Sequence, residues 1–204
     1  MQSRKPGSDD RKEQQRFGEG EAGNPNPGTA GRRPLNIALL LNDVALLAAD
    51  MFPKNISVEK VIPRDLWPVS GDRVQLGQVL FTFCANSRDA MPAGGKLTLR
   101  ASNFDPETAP VSAAPATVRG PHVLLEVADT GSGVGPEVLE QLALRRVATA
   151  PAATHTALGL ATVVSMVQGH GGILHIQAAP LRGTTFQVYL PANPAPVAES
   201  KTAE

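Results

Sequence analysis

One cysteine, Cys84, stands in the 204-residue chain, which excludes an internal disulfide and fits a reducing compartment. It lies in an apolar helical run, where a free thiol behaves as a small buried hydrophobe. Charge of either sign is not in excess either: Lys and Arg total 19, as do Asp and Glu. With no global field to gather a polyanion, neither nucleic acid nor an anionic membrane surface is an expected partner. Long apolar runs are also missing. The most apolar stretch, "IALLLNDVALLAADMF" from Ile37, is interrupted by Asn42, Asp43 and Asp50 and is too short and too polar to span a bilayer. The first thirty residues contain no apolar stretch that would make the core of a signal peptide. A cytoplasmic location with no membrane segment is therefore expected.

Large apolar side chains are almost absent from residues 1–33 and from 193–204, so neither stretch buries enough surface to offset the entropy of ordering it. These read as a disordered leader and a disordered tail around one domain, residues 34–192, of ordinary single-domain size. Within it, Leu39, Leu40, Val44, Leu47 and Met51 recur at helical spacing and predict a helix over residues 36–51. "NISVEKVI" alternates as a strand does, and "DRVQLGQVLFTFCANSRDAM" predicts a helix of about five turns stopped by Pro92, with Ser70 and Asp72 as capping residues. "KLTLRASNF" and "HVLLEVADT" read as strands joined by a Pro- and Ala-rich hairpin loop. "PEVLEQLAL" reads as a short helix and "LGLATVVSMVQGH" as a longer one. "GILHIQAA" and "TTFQVYLP" are strands meeting near Arg182 and Gly183. Such an order implies an α+β fold, a two-layer sandwich whose mixed, mostly antiparallel sheet is covered on one face by about three helices. Trp67 reads as a core aromatic.

Two features carry chemistry. On the second helix, Gln78, Thr82, Asn86 and Asp89 form one polar stripe, while Leu76, Val79, Leu80, Phe83 and Ala90 point elsewhere. Downstream, "VLLEVADTGSGVG" is a strand that ends in Asp129 and is followed by alternate glycines at 131, 133 and 135. Glycine lets backbone approach a flat ligand, and an ionised carboxylate, an acceptor only, suits the exocyclic amine of adenine. Taken alone, the stripe is an ordinary solvated face and the turn an ordinary strand-to-helix connection. A dinucleotide-binding βαβ unit is excluded: its G-x-G-x-x-G needs a glycine after Gly135 that the sequence does not supply, since Pro136 follows, and no acidic residue ends a strand about twenty positions on.

In order, "LGQVLFTFCANSRDAMPAGGKLTL", "VADTGSGV", "TALGLATVVSMVQGHGG" and "GTTFQVYLP" resemble the N, G1 and G2 boxes and closing strand of the GHKL superfamily, most closely the ATP-binding (HATPase_c) domain of bacterial sensor histidine kinases. The resemblance covers residues 35–192 and implies the Bergerat ATP-binding fold. It implies ATP and Mg²⁺ as ligands, with Asn86 holding the metal through a hard oxygen. It places Asp129, Gly131, Gly133 and Val134 around the adenine. Thr156, Leu158, Gly159 and Leu160 fall where a loop at a helix start meets phosphates. Thr184 falls beneath the base, and Asp89 falls within the nucleotide site. The implied activity is transfer of the γ-phosphoryl group to a histidine on a separate dimerisation hairpin, with a response regulator as the further partner.

The pattern is kept incompletely. His155 and Ala157 replace two glycines of the G2 box, no aromatic residue lies in "LALRRVATAPAAT" where the family carries its F box, and Thr82 stands where most kinases have asparagine and chaperone-type relatives a water-activating glutamate. Arg145 and Arg146 are candidate lid cations or plain exposed arginines. None of the four histidines (122, 155, 170, 175) precedes residue 35, so the accepting histidine is expected on another chain or segment, and no pair has metal-ligand spacing. Two other readings stay open: a degenerate GHKL module that binds without phosphotransfer, and an anti-sigma-type serine kinase.

Overall fold

The computed structural model describes residues 33–109, 118–133, 155–179 and 182–193. Helix α1 (Ile37–Met51) starts where the Asn36 side chain accepts the Leu39 N–H at 3.0 Å, and buries Ile37, Leu40, Leu41, Val44, Ala45 and Ala48. Helix α2 (Arg73–Asp89) is capped by Asp72, whose Oδ1 accepts the N–H groups of Val74 and Gln75 at 2.8 and 3.0 Å. Its apolar face buries Leu76, Val79, Leu80, Phe83 and Cys84. Helix α3 (His155–Gly169) sinks Leu160, Val163 and Val167 into the same layer.

The strands are β1 (Pro34–Leu35), β2 (Ile56–Val61), β3 (Val69–Ser70), β4 (Gly95–Phe104), β5 (His122–Asp129), β6 (Ile173–Ala179) and β7 (Gly183–Pro191). Five of them form one sheet in the order β2-β4-β5-β7-β6, parallel only between β2 and β4 and antiparallel elsewhere. A parallel pair needs a crossover, and α2 supplies it. One sheet face, carrying Leu97, Leu99, Val123, Leu125, Val127, Phe186 and Val188, packs against the three helices in a single core, within which Phe83 of α2 stacks on Phe186 of β7 at 4.5 Å. The mixed sheet with helices on one side is the architecture the sequence implies.

The opposite face carries a smaller apolar cluster of Phe104, Val118, Leu124 and Tyr189, and beside it a polar ladder across four strands. Arg100 lies 4.0 Å from Glu126, which accepts from Gln187 Nε2 at 2.9 Å, and Gln187 Oε1 faces His175 Nδ1 at 3.0 Å. These four residues are cross-strand partners in register. The acceptor-only Glu126 fixes the amide of Gln187, which in turn makes His175 Nδ1 the protonated nitrogen.

Three details differ from the sequence reading. The short pair β1 and β3, joined antiparallel through Leu35 and Val69, is additional. It takes Ser70 into a strand, so Asp72 alone caps α2. Helix α3 begins three residues before Leu158. With His155 and Ala157 in place of glycine, and alanine the strongest helix former, nothing in the local sequence stops the helix from extending to His155. At the two ends of the domain, Arg33 O accepts from Gly71 N–H, and Asn193 N–H donates to Pro68 O, both at 3.2 Å. Trp67 is half-buried against the core, as expected. The expected helix over 136–144, the arginines at 145 and 146, and residues 1–32, 110–117 and 194–204 lie outside the described residues.

Candidate functional site

The C-terminal end of β5 delivers Asp129 to the junction of α2, the glycine turn and the start of β7. Its carboxylate is buried and takes three hydrogen bonds. Oδ1 accepts the Gly131 N–H at 2.9 Å and the Thr184 N–H at 3.1 Å, while Oδ2 accepts the Ser87 hydroxyl at 2.9 Å. An ionised carboxylate offers about four acceptor positions, so among the described residues one remains open, on Oδ2. Sequence reasoning missed Ser87. It is fully buried in the last turn of α2, next to Asn86, and its only signal is a hydroxyl among apolar positions of that helix face.

Two buried polar atoms have no hydrogen-bond partner among the described residues: Thr184 Oγ1, in the residue whose N–H holds Asp129, and Asn86 Nδ2, in the residue before Ser87. Buried donors without a partner are rare and cost about 1–3 kcal/mol each, so each of the two atoms suits a polar ligand atom. The turn is fastened to α2 by backbone: Ser132 N–H donates to Ala90 O at 3.0 Å, and a β-carbon on Gly131 would lie 2.5 Å from that same oxygen. Only glycine fits there. Gly133 follows with φ +80°.

Asp129, Gly131 and Thr184 are thus joined by hydrogen bonds at one junction, with Asn86 next to Ser87 on α2 and Gly133 two residues further along the turn. Asp89 is exposed at the end of α2, where Arg88 pairs with it at 2.8 Å. Val134 lies outside the described residues. Thr156, Leu158, Gly159 and Leu160 all belong to α3 instead of a loop. By helix geometry the N–H groups left unpaired there are those of the first turn, residues 155–157, and not those of Gly159 and Leu160. Leu160 is a core residue, and Gly159 passes close to α2: a β-carbon on it would sit 3.3 Å from Thr82 Cγ2. The Thr82 hydroxyl is committed to Gln78 O at 2.8 Å.

Residues 71–194, well over half of the chain, match the family described as Histidine kinase-, DNA gyrase B-, and HSP90-like ATPase. The chain belongs to this ATPase family. Its relatives within the family include Sensor kinase CckA of Brucella abortus (strain 2308), 34% identical over 171 residues covering 80% of this chain and 18% of that protein. Another is Sensory histidine kinase/phosphatase NtrB of Rhizobium meliloti (strain 1021), 31% identical over 173 residues, 84% of this chain and 44% of that protein. The chain therefore spans less than half the length of these curated relatives. The ATPase fold is shared with the Mycobacterial sensor histidine kinase MprB, at TM-score 0.61 and 24% identity over 80% of this chain and 99% of that one. It is shared also with full-length ShkA, solved in complex with AMPPNP, at TM-score 0.62 and 24% identity over 81% of this chain and 32% of that one.

Membership makes ATP the nucleotide of this domain. The residues fit a divalent cation that arrives with it. Among the described residues no group of three or more His, Cys, Asp or Glu is placed to hold a metal alone. Magnesium characteristically takes one or two protein oxygens and completes its octahedron with phosphates and water. Of the Asn86 amide, only Oδ1 suits such a hard ion, while the buried, unpartnered Nδ2 is a donor for an oxygen of phosphate or water. No described helix is long and apolar enough to cross a membrane.

Proposed function

We propose that the chain is the ATP-binding catalytic domain of a two-component sensor histidine kinase. In this reading it binds Mg²⁺–ATP at the α2–β5–β7 junction and passes the γ-phosphoryl group to a histidine on a separate hairpin, from which a response regulator receives it. The observation that supports the reading best is the buried Asp129 carboxylate, with three donors and one open acceptor site among the described residues and the unpartnered Thr184 hydroxyl in the residue that holds it.

In that role Asp129 accepts the adenine amine, and Thr184 Oγ1, one residue into β7, meets the same base. Asn86 Oδ1 is the protein's oxygen for Mg²⁺, which when bound supplies charge neutralisation to the phosphates. Phosphates lie toward the first turn of α3, where unpaired N–H groups and the helix dipole favour anions. The domain's task is then positioning and charge stabilisation, since an imidazole nucleophile is neutral near pH 7 and needs no strong base from this chain. Thr82 agrees with a transferase over a hydrolase: its hydroxyl is spent on Gln78 O and is far too weak a base to activate water.

A second reading, a nucleotide-binding module without phosphotransfer, is favoured by one observation, the extension of α3 through His155 in place of a glycine loop. Calorimetry with a non-hydrolysable ATP analogue, with and without Mg²⁺, tests binding. Magnesium-dependent affinity that falls at least about tenfold in Asn86→Ala supports the site, and no binding at millimolar nucleotide overturns it. Transfer of labelled phosphate to an added histidine-hairpin protein then separates kinase from module.

A further inference from the structure

We propose that Ser87 is a positioning residue that aims Asp129 at the 6-amino group of a purine, and so sets the discrimination of this site between adenine and hypoxanthine nucleotides. The inference rests on the nucleotide reading above and assigns a role to a residue to which the family resemblance gave none.

The two backbone donors to Asp129, Gly131 N–H and Thr184 N–H, both fall on Oδ1 and fill its two lone-pair directions. Oδ2, the oxygen with a free acceptor site, is held among the described residues by Ser87 Oγ alone, at 2.9 Å. Ser87 is fully buried, and its single hydroxyl proton has an acceptor-only partner, so the direction of the bond is fixed from Ser87 to Asp129. The serine sits on α2 one residue from Asn86, and the same helix end receives the glycine turn through Ser132 N–H to Ala90 O. Ser87 therefore ties the position of the base-reading oxygen to the helix that carries the proposed metal ligand.

The open site on Oδ2 accepts a donor and repels an acceptor. Adenine presents an N–H at its 6-position and hypoxanthine a carbonyl oxygen, so a fixed Oδ2 favours the first and faces the second with like partial charge. A site built around a specific hydrogen bond discriminates steeply against an analogue that cannot make it, because buried groups are then left unpaired. Without the Ser87 hydroxyl, Oδ2 loses its partner among the described residues and takes water in its place, which can serve a donor or an acceptor on the base, and the contrast between the two bases shrinks.

The test is calorimetric titration of the full 204-residue chain with ADP and with IDP, each with Mg²⁺. The wild-type chain is expected to bind ADP at least about tenfold tighter than IDP, and Ser87→Ala to bring the ratio down to about threefold or less through loss of ADP affinity, with IDP unchanged. Ser87→Cys, which keeps the shape and weakens the donor, is expected to lower the ratio in the same direction and serves if the alanine variant melts early. An unchanged ratio in both variants, or an equal loss for both nucleotides, overturns the positioning role and leaves the nucleotide reading standing. A wild-type chain that binds ADP and IDP alike overturns the base-reading role of Asp129 itself.

Discussion

His170 Nε2 accepts the backbone N–H of Asp72 at 3.0 Å, across 98 residues of sequence, and so ties the end of α3 to the cap of α2. The ring's other nitrogen lies 2.7 Å from Met166 O and donates to it, which makes Nδ1–H the tautomer in place. With the ring 1% exposed, both polar atoms are satisfied inside the protein. The two helices joined here are the ones that carry Asn86 and the first turn of α3.

Truncation of this side chain removes a packed ring and strands the Asp72 N–H. His170→Ala is expected to lower the unfolding free energy by about 2–4 kcal/mol, read from urea denaturation. A loss under about 1 kcal/mol would mean that the α2 cap does not depend on the ring.

Thr184 presents the opposite case, a buried hydroxyl without a partner among the described residues. Thr184→Val keeps the backbone N–H that holds Asp129 and removes only the orphan hydroxyl. It is expected to raise stability by about 1 kcal/mol in thermal unfolding while ATP affinity falls several-fold in calorimetry. Lower stability together with unchanged affinity would contradict the placement of this hydroxyl in the nucleotide site.

The helices and most strands were legible because their signals are local. Leu76, Val79, Leu80 and Phe83 repeat at helical spacing, Asp72 caps within three residues, and β5 alternates up to a carboxylate and a glycine turn. What stayed hidden depends on distant partners. The β1–β3 pair joins Leu35 to Val69 through two residues on each side, too few for any period to show. Ser87 meets Asp129 across 42 residues, a contact set by how the last turn of α2 lands on the end of β5. The His170 ring bonds a backbone N–H, which no residue type announces. In the sequence reading α3 starts at Leu158, because the residues before it are small and polar and show no period, although neither His155 nor Ala157 breaks a helix.

Gly183 is held in place by space and by conformation together. Its φ is +86°, and a β-carbon would fall 1.9 Å from the carbonyl oxygen of Asp129. Left-handed backbone alone costs a non-glycine residue about 1–2 kcal/mol, and here the clash is with backbone and has no rotamer to relieve it. Gly183→Ala is expected to cost about 3 kcal/mol or more and to displace Thr184 N–H from Asp129, so that stability and nucleotide affinity fall together. Unchanged affinity in a destabilised variant would show that Asp129 keeps its orientation without this turn.

Cys84 makes stability depend on alkaline pH. Burial in the core pushes its thiol up from 9.0 to about 12, because the thiolate is denied water. The unfolded chain ionises near the ordinary value, so above pH 9 the unfolded state holds fewer protons than the folded one, and unfolding becomes more favourable as pH rises. The contribution is therefore complete below pH 9 and is lost progressively toward pH 12, with a limiting slope of about 1.4 kcal/mol per pH unit. The difference in urea-unfolding free energy between wild type and Cys84→Ala, which lacks the titration, is expected to shrink across pH 9–11. In parallel, an aromatic disulfide reagent at pH 8 is expected to label Cys84 only after denaturant is added. Rapid labelling of the folded chain, or parallel pH profiles for the two proteins, would show that the thiol is reached by water without unfolding.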